Sequence, residues 1–348
     1  MKILGIESSC DETAASVVSD GRVLLSNVVH SQIDIHAHYG GVVPEVAARS
    51  HIEVINPVIN KALSDANLTW DDIDAIAVTY APGLVGSLLV GTLAARTLAV
   101  LKNKPLYPIH HVEAHVYANF LNKNAPEFPM LALIVSGGHS QLVLFRDHGD
   151  YQLLGQTQDD AVGEAFDKVA KIIGLPYPGG PSIAQAALSG DAHAYALPKA
   201  KMSGKYDFSF SGLKTAVLRA VQREVGVDFT FASHGLPALL NDVQRANFAA
   251  SFQRVAVETL VDKAEAAYIN FAPRSVVIAG GVAANSELRR TLSERLPLHI
   301  DYAPMHLCTD NAAMIATLGY YYAQKNNPTD PYVMEVVPSL SMTKTAWS

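Results

Sequence analysis

Residues 2–29, KILGIESSCDETAASVVSDGRVLLSNVV, and residues 130–145, MLALIVSGGHSQLVLF, begin in the same way. Each opens on a short apolar strand that turns back on itself. The first continues through β-runs at 14–18 and 22–29, with Ser-Asp-Gly at 19–21 as a hairpin signal; the second turns at Ser136-Gly137-Gly138 and returns over 140–145. Helical periodicity follows each opening, over 43–66 after the first and over 161–173 after the second. The first half goes on to an apolar strand at 73–79, a small-residue helix after Gly83, a short strand at 105–109 and a helix from His111 to about 119. The second half has a strand at 151–157, a long helix at 241–270 with Phe248, Phe252 and Val255 on one stripe, a buried strand at 275–279 and a helix at 286–295. This duplication predicts an α/β chain of two lobes with similar topology and a cleft between them. The expected boundaries are 1–125 and 126–309, with a helix near 310–326 able to return to the first lobe. Prolines and sparse apolar periodicity make 327–348 read as a loosely ordered tail.

Composition narrows the class. With 49% apolar and 17% charged residues, the chain is neither disordered nor fibrous. A net charge of −7 gives no overall basic character, so contact with RNA has to rely on a local patch or a partner. Two cysteines, Cys10 and Cys308, make no disulfide framework and suit a reducing cytosol. The first residues do not read as a signal peptide. The most apolar stretch, 84–101, is interrupted by Arg96 and rich in small residues, which favours a buried helix over a membrane span. The expectation is a cytoplasmic protein with no membrane association.

The chemistry begins at HVEAH, 111–115. His111 and His115 are one helical turn apart, so both imidazoles face the same way and can share an ion. A zinc peptidase needs its glutamate directly after the first histidine. Here Glu113 is two positions on, turned about 200° around the helix. The best third ligand is Asp310 in CTDNAAM, 308–314, although an aspartate opening a helix also reads as an N-cap. Two histidines and a carboxylate leave coordination positions open, as in non-haem iron and some zinc sites. Cys308 is a soft competitor nearby, or a buried inert thiol.

Glycine turns supply the second signal. IVSGGH at 134–139 and AGGVAAN at 279–285 end strands in paired glycines, and YPGGP at 177–181 is a third such turn. Backbone exposed in this way can approach phosphate or ribose oxygens, and together with the acidic helix GEAFDK at 163–168 the turns point to nucleotide chemistry. Neither GxxxxGK(S/T) nor GxGxxG after a strand is present, which excludes a P-loop and a Rossmann site.

These blocks, together with GIESSCDET at 5–13, HYGGVVPEVAARSH at 38–51, APGLVGSLLVG at 81–91, HHVEAH at 110–115 and DFSFSGLKT at 207–215, resemble the TsaD family (older names Gcp and YgjD) over about residues 1–320. The family's members are tRNA N6-adenosine threonylcarbamoyltransferases. The resemblance implies the two-lobed fold of actin-like ATPases and sugar kinases (the ASKHA fold), and a metal, iron before zinc, on His111, His115 and Asp310. It implies that Ile134, Val135, Ser136, Gly137, Gly138, Asp167, Gly180 and Asn285 hold threonylcarbamoyl-AMP. Some relatives have an aspartate four residues after the second glycine of the third turn, where this chain has Ala184. The implied reaction carries the threonylcarbamoyl group from the adenylate to the tRNA adenosine beside the anticodon (position 37), in tRNAs reading codons that begin with A. Asp11 and Glu12 are expected to orient the amine or take its proton. The implied partners are tRNA, a paralogous subunit (TsaB) and a small ATPase (TsaE). A cationic run, Lys199, Lys201, Lys205, Lys214, Arg219 and Arg223, with Phe208 and Phe210 inside it, is the expected RNA-facing edge. The competing readings are a small-molecule kinase of the same fold, a non-catalytic partner subunit and, third, a metallopeptidase.

Overall fold

The computed structural model describes residues 1–342. Along the chain run β1 (Lys2–Glu7), β2 (Glu12–Ser19), β3 (Val23–Ser31), α1 (Ile33–Ala37), α2 (Pro44–Asp65), β4 (Ala75–Ala81), α3 (Val85–Lys102), β5 (Leu106–His110) and α4 (His111–Tyr117). Then come β6 (Met130–Val135), β7 (Ser140–Asp147), β8 (Asp150–Gln156), α5 (Val162–Ile173), α6 (Gly179–Ala187), α7 (Ser211–Glu224), α8 (Asp242–Phe271), β9 (Ser275–Ala279), α9 (Ser286–Arg295), β10 (Ile300–Tyr302) and α10 (Ala312–Lys325). Two five-stranded sheets result, ordered β3-β2-β1-β4-β5 and β10-β9-β6-β7-β8. Read from β8 to β10, the second sheet repeats the strand order of the first, so the duplication seen in the sequence is real at the level of topology. The hairpin signal at 19–21 is a tight turn with Asp20 and Gly21 both at positive φ, joining antiparallel β2 and β3. Compactness divides the chain into one unit of 1–126, 145–151 and the residues from Tyr302 on, and a second of 127–144 and 152–301.

In the first unit β1, β4 and β5 run parallel, so their carboxyl ends open on one edge. The sheet is fully buried there because helices cover it. α10 lies against β1 at unusually close range. A Cβ on Gly5 would run into the Ala312 carbonyl oxygen and come within 2.7 Å of the Ala316 nitrogen, and one on Gly319 would meet Ala77 Cβ at 2.5 Å. Small residues on both surfaces allow this approach, and they bring the segment just before α10, with Asp310, to the carboxyl edge of the sheet. α3 is the one helix among the described residues long and apolar enough, by length and composition, to cross a membrane. In the fold it buries Ser87, Leu88, Gly91, Thr92, Ala95 and Ala99, and its Arg96 donates to the carbonyls of Pro331 and Tyr332.

The expectation of a loose tail is corrected over 327–342. This segment has no regular element, but it is held to the first unit by Thr329 N–H to Leu106 O, Val337 N–H to Tyr80 O and Gly83 N–H to Pro338 O, with Met334 and Met342 buried. Backbone bonds to the rims of β4 and β5 replace the periodicity that the sequence lacks. Residues 343–348 lie outside the described residues. Helices α1, α6 and α7 and the short strand β10 complete the account. Of these, α6 starts inside the Gly-Gly-Pro turn, where glycine and proline mask a helical start.

Candidate active site

Helix α4 starts at the end of β5 and carries three histidines with three different tasks. His110 is the N-cap: its Nδ1 accepts the Glu113 N–H at 3.4 Å and its Nε2 donates to the Leu340 carbonyl at 3.2 Å. Burial lowers its pKa to about 4, so it stays neutral and is spent on structure. His111 and His115 project together, their rings 4.7 Å apart edge to face. Asp310 Oδ1 lies 3.2 Å from His115 Nε2 and 3.7 Å from His111 Nε2, and one ligand atom from each of the three residues falls within 4.8 Å of the others. The cap on α10 is Asn311, whose Oδ1 accepts the Met314 N–H at 3.1 Å. The reading of Asp310 as an N-cap is therefore corrected, since the next residue does that work. Cys308 stays out of the cluster, buried with its thiol donating to the Ala303 carbonyl. Glu113 faces away, into a small cavity with Tyr80, His110 and Tyr322.

The cluster fits a metal on its own chemistry. His115 is 2% exposed, and among the described residues neither of its ring nitrogens has a hydrogen bond. Its Nε2 faces only the Asp310 carboxylate, at 3.2 Å, and a nitrogen and an oxygen placed in this way are ligands that one ion can share. Behind His111 stands Glu7 at the end of β1, fully buried. Its Oε2 accepts from His111 Nδ1 at 3.0 Å and from the Thr79 hydroxyl at 2.6 Å, and its Oε1 accepts the Ser9 N–H. Metal-ligating histidines are commonly held in this way, with the carboxylate fixing the tautomer that leaves Nε2 for the ion. Glu7→Gln should weaken metal binding about 10- to 100-fold while leaving the fold intact. Transfer activity lost by this variant should return at high metal concentration, which a chelator titration alongside the assay reads directly.

The same charges make metal uptake depend on pH. Burial alone would press the His111 imidazole down, but the Asp310 and Glu7 carboxylates outweigh it and bring it up to about 9. Burial pushes Glu7 upward, yet His111 and the Thr79 hydroxyl hold it below the usual carboxylate value. A metal entering at Nε2 must therefore displace a proton, and apparent affinity should rise roughly tenfold per pH unit up to about 9 and then level off. Stability of the chelator-treated protein should run the other way. The unfolded histidine titrates near 6.5, so the contribution of the charged His111 is complete below that pH and is lost as pH rises through about 9.

Asp11 lies in the turn between β1 and β2 and Glu12 is the first residue of β2, both in the first unit. Burial, then the Asp310 and Asp11 carboxylates, push Glu12 up to about 10. A cation on Asp310 opposes part of that shift. The turn is tied down by His51, Ser87, Leu84 and Gln32.

The glycine turns gather in the second unit. β6 and β9 are parallel neighbours with Ile134 opposite Ala279, so the turns leaving them stand side by side. Ile134 and Val135 end β6; Ser136, Gly137 and Gly138 form its turn. Gly163, at the start of α5, donates its N–H to the Ser136 carbonyl, and a Cβ there would sit 2.8 Å from Gly137 Cα. One turn further along α5, Asp167 accepts the Gly179 N–H at 2.7 Å and so draws the third glycine turn in. Asn285 caps α9, accepting from Leu288 N–H and donating to Gln253. No atom comes within 4 Å of a Cβ built on Gly137, Gly138 or Gly180, so backbone is bare at these positions. Ala184 follows Gly180 by one turn of α6. The cationic run is different from what its composition suggested. Lys199 pairs with Glu258 and Asp262, Lys214 pairs with Asp160, and Arg219 donates to the Phe229 carbonyl. Phe208 and Phe210 are fully buried and offer no stacking platform.

Comparison with known proteins gives the same picture. A family model described as TsaD, tRNA N6-adenosine threonylcarbamoyltransferase, matches residues 23–317. A relative of that name from Symbiobacterium thermophilum is 54% identical over 322 residues, 92% of this chain and 91% of its own. Another from Dehalococcoides mccartyi is 52% identical over 99% of this chain and 100% of its own. Among solved structures, full-length HypF in its phosphate- and nucleotide-bound form superposes with a TM-score of 0.60 at 13% identity, over 93% of this chain and 46% of that one. Component A of the Acidaminococcus fermentans (R)-2-hydroxyglutaryl-CoA dehydratase gives 0.51 at 16%, over 93% of this chain and 100% of that one. At such identities the structures speak for the fold alone, and it is the duplicated ASKHA architecture. By its sequence over nearly all its length, the chain belongs to the TsaD family of tRNA N6-adenosine threonylcarbamoyltransferases.

Proposed function

We propose that this chain transfers the threonylcarbamoyl group from threonylcarbamoyl-AMP to the N6 amine of the adenosine beside the tRNA anticodon. The buried cluster of His111, His115 and Asp310, with Glu7 behind it, carries the reading. A small-molecule kinase of this fold has no use for such a cluster, and the non-catalytic paralogue lacks it. His111, His115 and Asp310 hold iron, with zinc as the alternative ion. Bound there, the metal supplies a Lewis acid for the oxygens that gain charge as the carbamoyl carbon is attacked. The C–N bond forms at that carbon, its bond to the phosphate oxygen breaks, AMP leaves, and the amine gives up a proton. Asp11 and Glu12 orient the amine or take its proton; Glu12 takes it only in its charged form, which a cation on Asp310 favours. The bare backbone at 136–138 and Gly180, with Asp167 and Asn285, fixes the adenylate, which turns the attack into a near-unimolecular step.

The protein acts in the cytoplasm on tRNA, with TsaB and TsaE as partners. The test supplies all three proteins, the adenylate and unmodified tRNA, then separates the digested nucleosides by chromatography. Threonylcarbamoyladenosine formed in step with AMP is the expected result. Adenylate consumed without modified nucleoside, or phosphate moved from ATP to a small molecule, would overturn the proposal.

A further inference from the structure

His51 is a fully buried histidine in the middle of α2 that the chemistry above does not use. Its Nε2 lies 2.9 Å from the Cys10 carbonyl and its Nδ1 lies 2.7 Å from the Thr13 hydroxyl. A carbonyl only accepts, so the ring proton sits on Nε2 and Nδ1 receives the Thr13 hydroxyl. The two partners are the residues on either side of Asp11 and Glu12. Other bonds reach the same stretch: Ser87 Oγ to the Cys10 carbonyl, Leu84 N–H to the Ser9 carbonyl, Gln32 N–H to the Asp11 carbonyl and Ser31 Oγ to Glu12 Oε1, while Glu12 and Thr13 open β2 opposite Ser31 and His30 of β3. Among the described residues, His51 is the one side chain bonded to the residues on both sides of the acidic pair. A polar ring in the core of a helix–sheet interface is a poor way to gain stability, because an apolar side chain of similar volume packs there without needing two partners. Its cost is met only if the geometry it imposes matters. We infer that His51 is a positioning residue for the transfer reaction: it ties the end of the turn at Cys10 to the start of β2 at Thr13 so that the Asp11 and Glu12 carboxyls between them meet the incoming amine. This rests on the proposal that those two acids act on the amine.

The test uses the chain with its partners and follows kcat, KM for the adenylate, metal content and thermal unfolding. His51→Leu should lower kcat about 100-fold, the scale of a small misplacement of a reacting group, with KM within about threefold and metal content unchanged. His51→Gln, which keeps a donor and an acceptor, should recover most of the loss. In an Asp11→Asn, Glu12→Gln background, His51→Leu should cost less than about threefold, because nothing is left to position. Wild-type kcat in His51→Leu overturns the inference, as does an equal loss in the two backgrounds. If His51→Leu does not fold, Thr13→Val removes only the hydroxyl at Nδ1 and must show the same non-additive loss; an additive loss or none overturns the inference. Failure of the underlying reading is a separate result. Full transfer by the Asp11→Asn, Glu12→Gln protein would remove the acids' role, and the inference with it, whatever His51→Leu does.

Discussion

His115→Ala is expected to strip the protein of its metal and to lower kcat/KM for transfer on the order of 1000-fold, the several kcal/mol that a Lewis acid contributes. The size follows from the site. With His115 gone, two ligands remain, His111 and Asp310, and no other ligating side chain among the described residues joins the group. Cys308, three residues after Met305, is the obvious substitute in the sequence, but its buried thiol is bonded to the Ala303 carbonyl and cannot step in. Cys308→Ser should therefore keep its metal, which makes it the control for His115→Ala. Metal analysis after dialysis reads both. Thermal unfolding adds an independent signal: a bound metal stabilises the folded state by mass action, so chelator should lower the melting temperature of the parent protein and leave His115→Ala unmoved. Retained metal and full transfer in His115→Ala would place the ion elsewhere.

The parts of this site that were legible in the sequence are those whose chemistry is local. His111 and His115 declare themselves by spacing alone, because one helical turn aligns their rings. Glu7 does not. It is 104 residues from His111, and only the parallel pairing of β1, β4 and β5 brings the two ends together. His51 is hidden in the same way, its meaning set by a turn 38 residues away. The cationic run differs in the opposite sense. Between 199 and 223 the sequence shows lysines and arginines almost without acids, but the acids are supplied by α8, where Glu258 and Asp262 face Lys199, and by Asp160 before α5. Local composition counts charges, and tertiary structure pairs Lys199 and Lys214 of the six with acids from elsewhere in the chain. The fold itself was readable because duplication leaves two similar patterns, and each strand's apolar run survives in isolation. The tail was misread because it is held by backbone hydrogen bonds to strand rims, which leave no periodicity in the side chains.

The same contrast between occupied and bare space allows the adenylate turns to be tested without confusing folding with binding. Gly280 and Gly137 lie in the turns that leave adjacent parallel strands, yet a methyl group meets opposite conditions at the two. Gly280 has φ +88°, and a Cβ there would collide with the Val135 carbonyl, 2.9 Å from its carbon. Backbone is in the way, no rotamer relieves the clash, and the left-handed conformation adds strain. Gly280→Ala should cost about 2–4 kcal/mol of stability, seen as a fall in melting temperature, and lose adenylate binding because the turn is displaced. Gly137 has nothing within 4 Å of its added Cβ and no positive φ. Gly137→Ala should leave the melting temperature nearly unchanged, shifting stability by no more than about 0.5 kcal/mol. If the adenylate approaches the backbone here, the methyl group occupies its space, and KM for the adenylate should rise at least about tenfold with metal content untouched. Gly180→Ala, equally free of neighbours, should behave like Gly137→Ala. A glycine whose replacement spares the fold and spoils the substrate is held by the ligand. One whose replacement spoils both is held by the backbone, and Gly137→Ala with a normal KM would move the adenylate away from this turn.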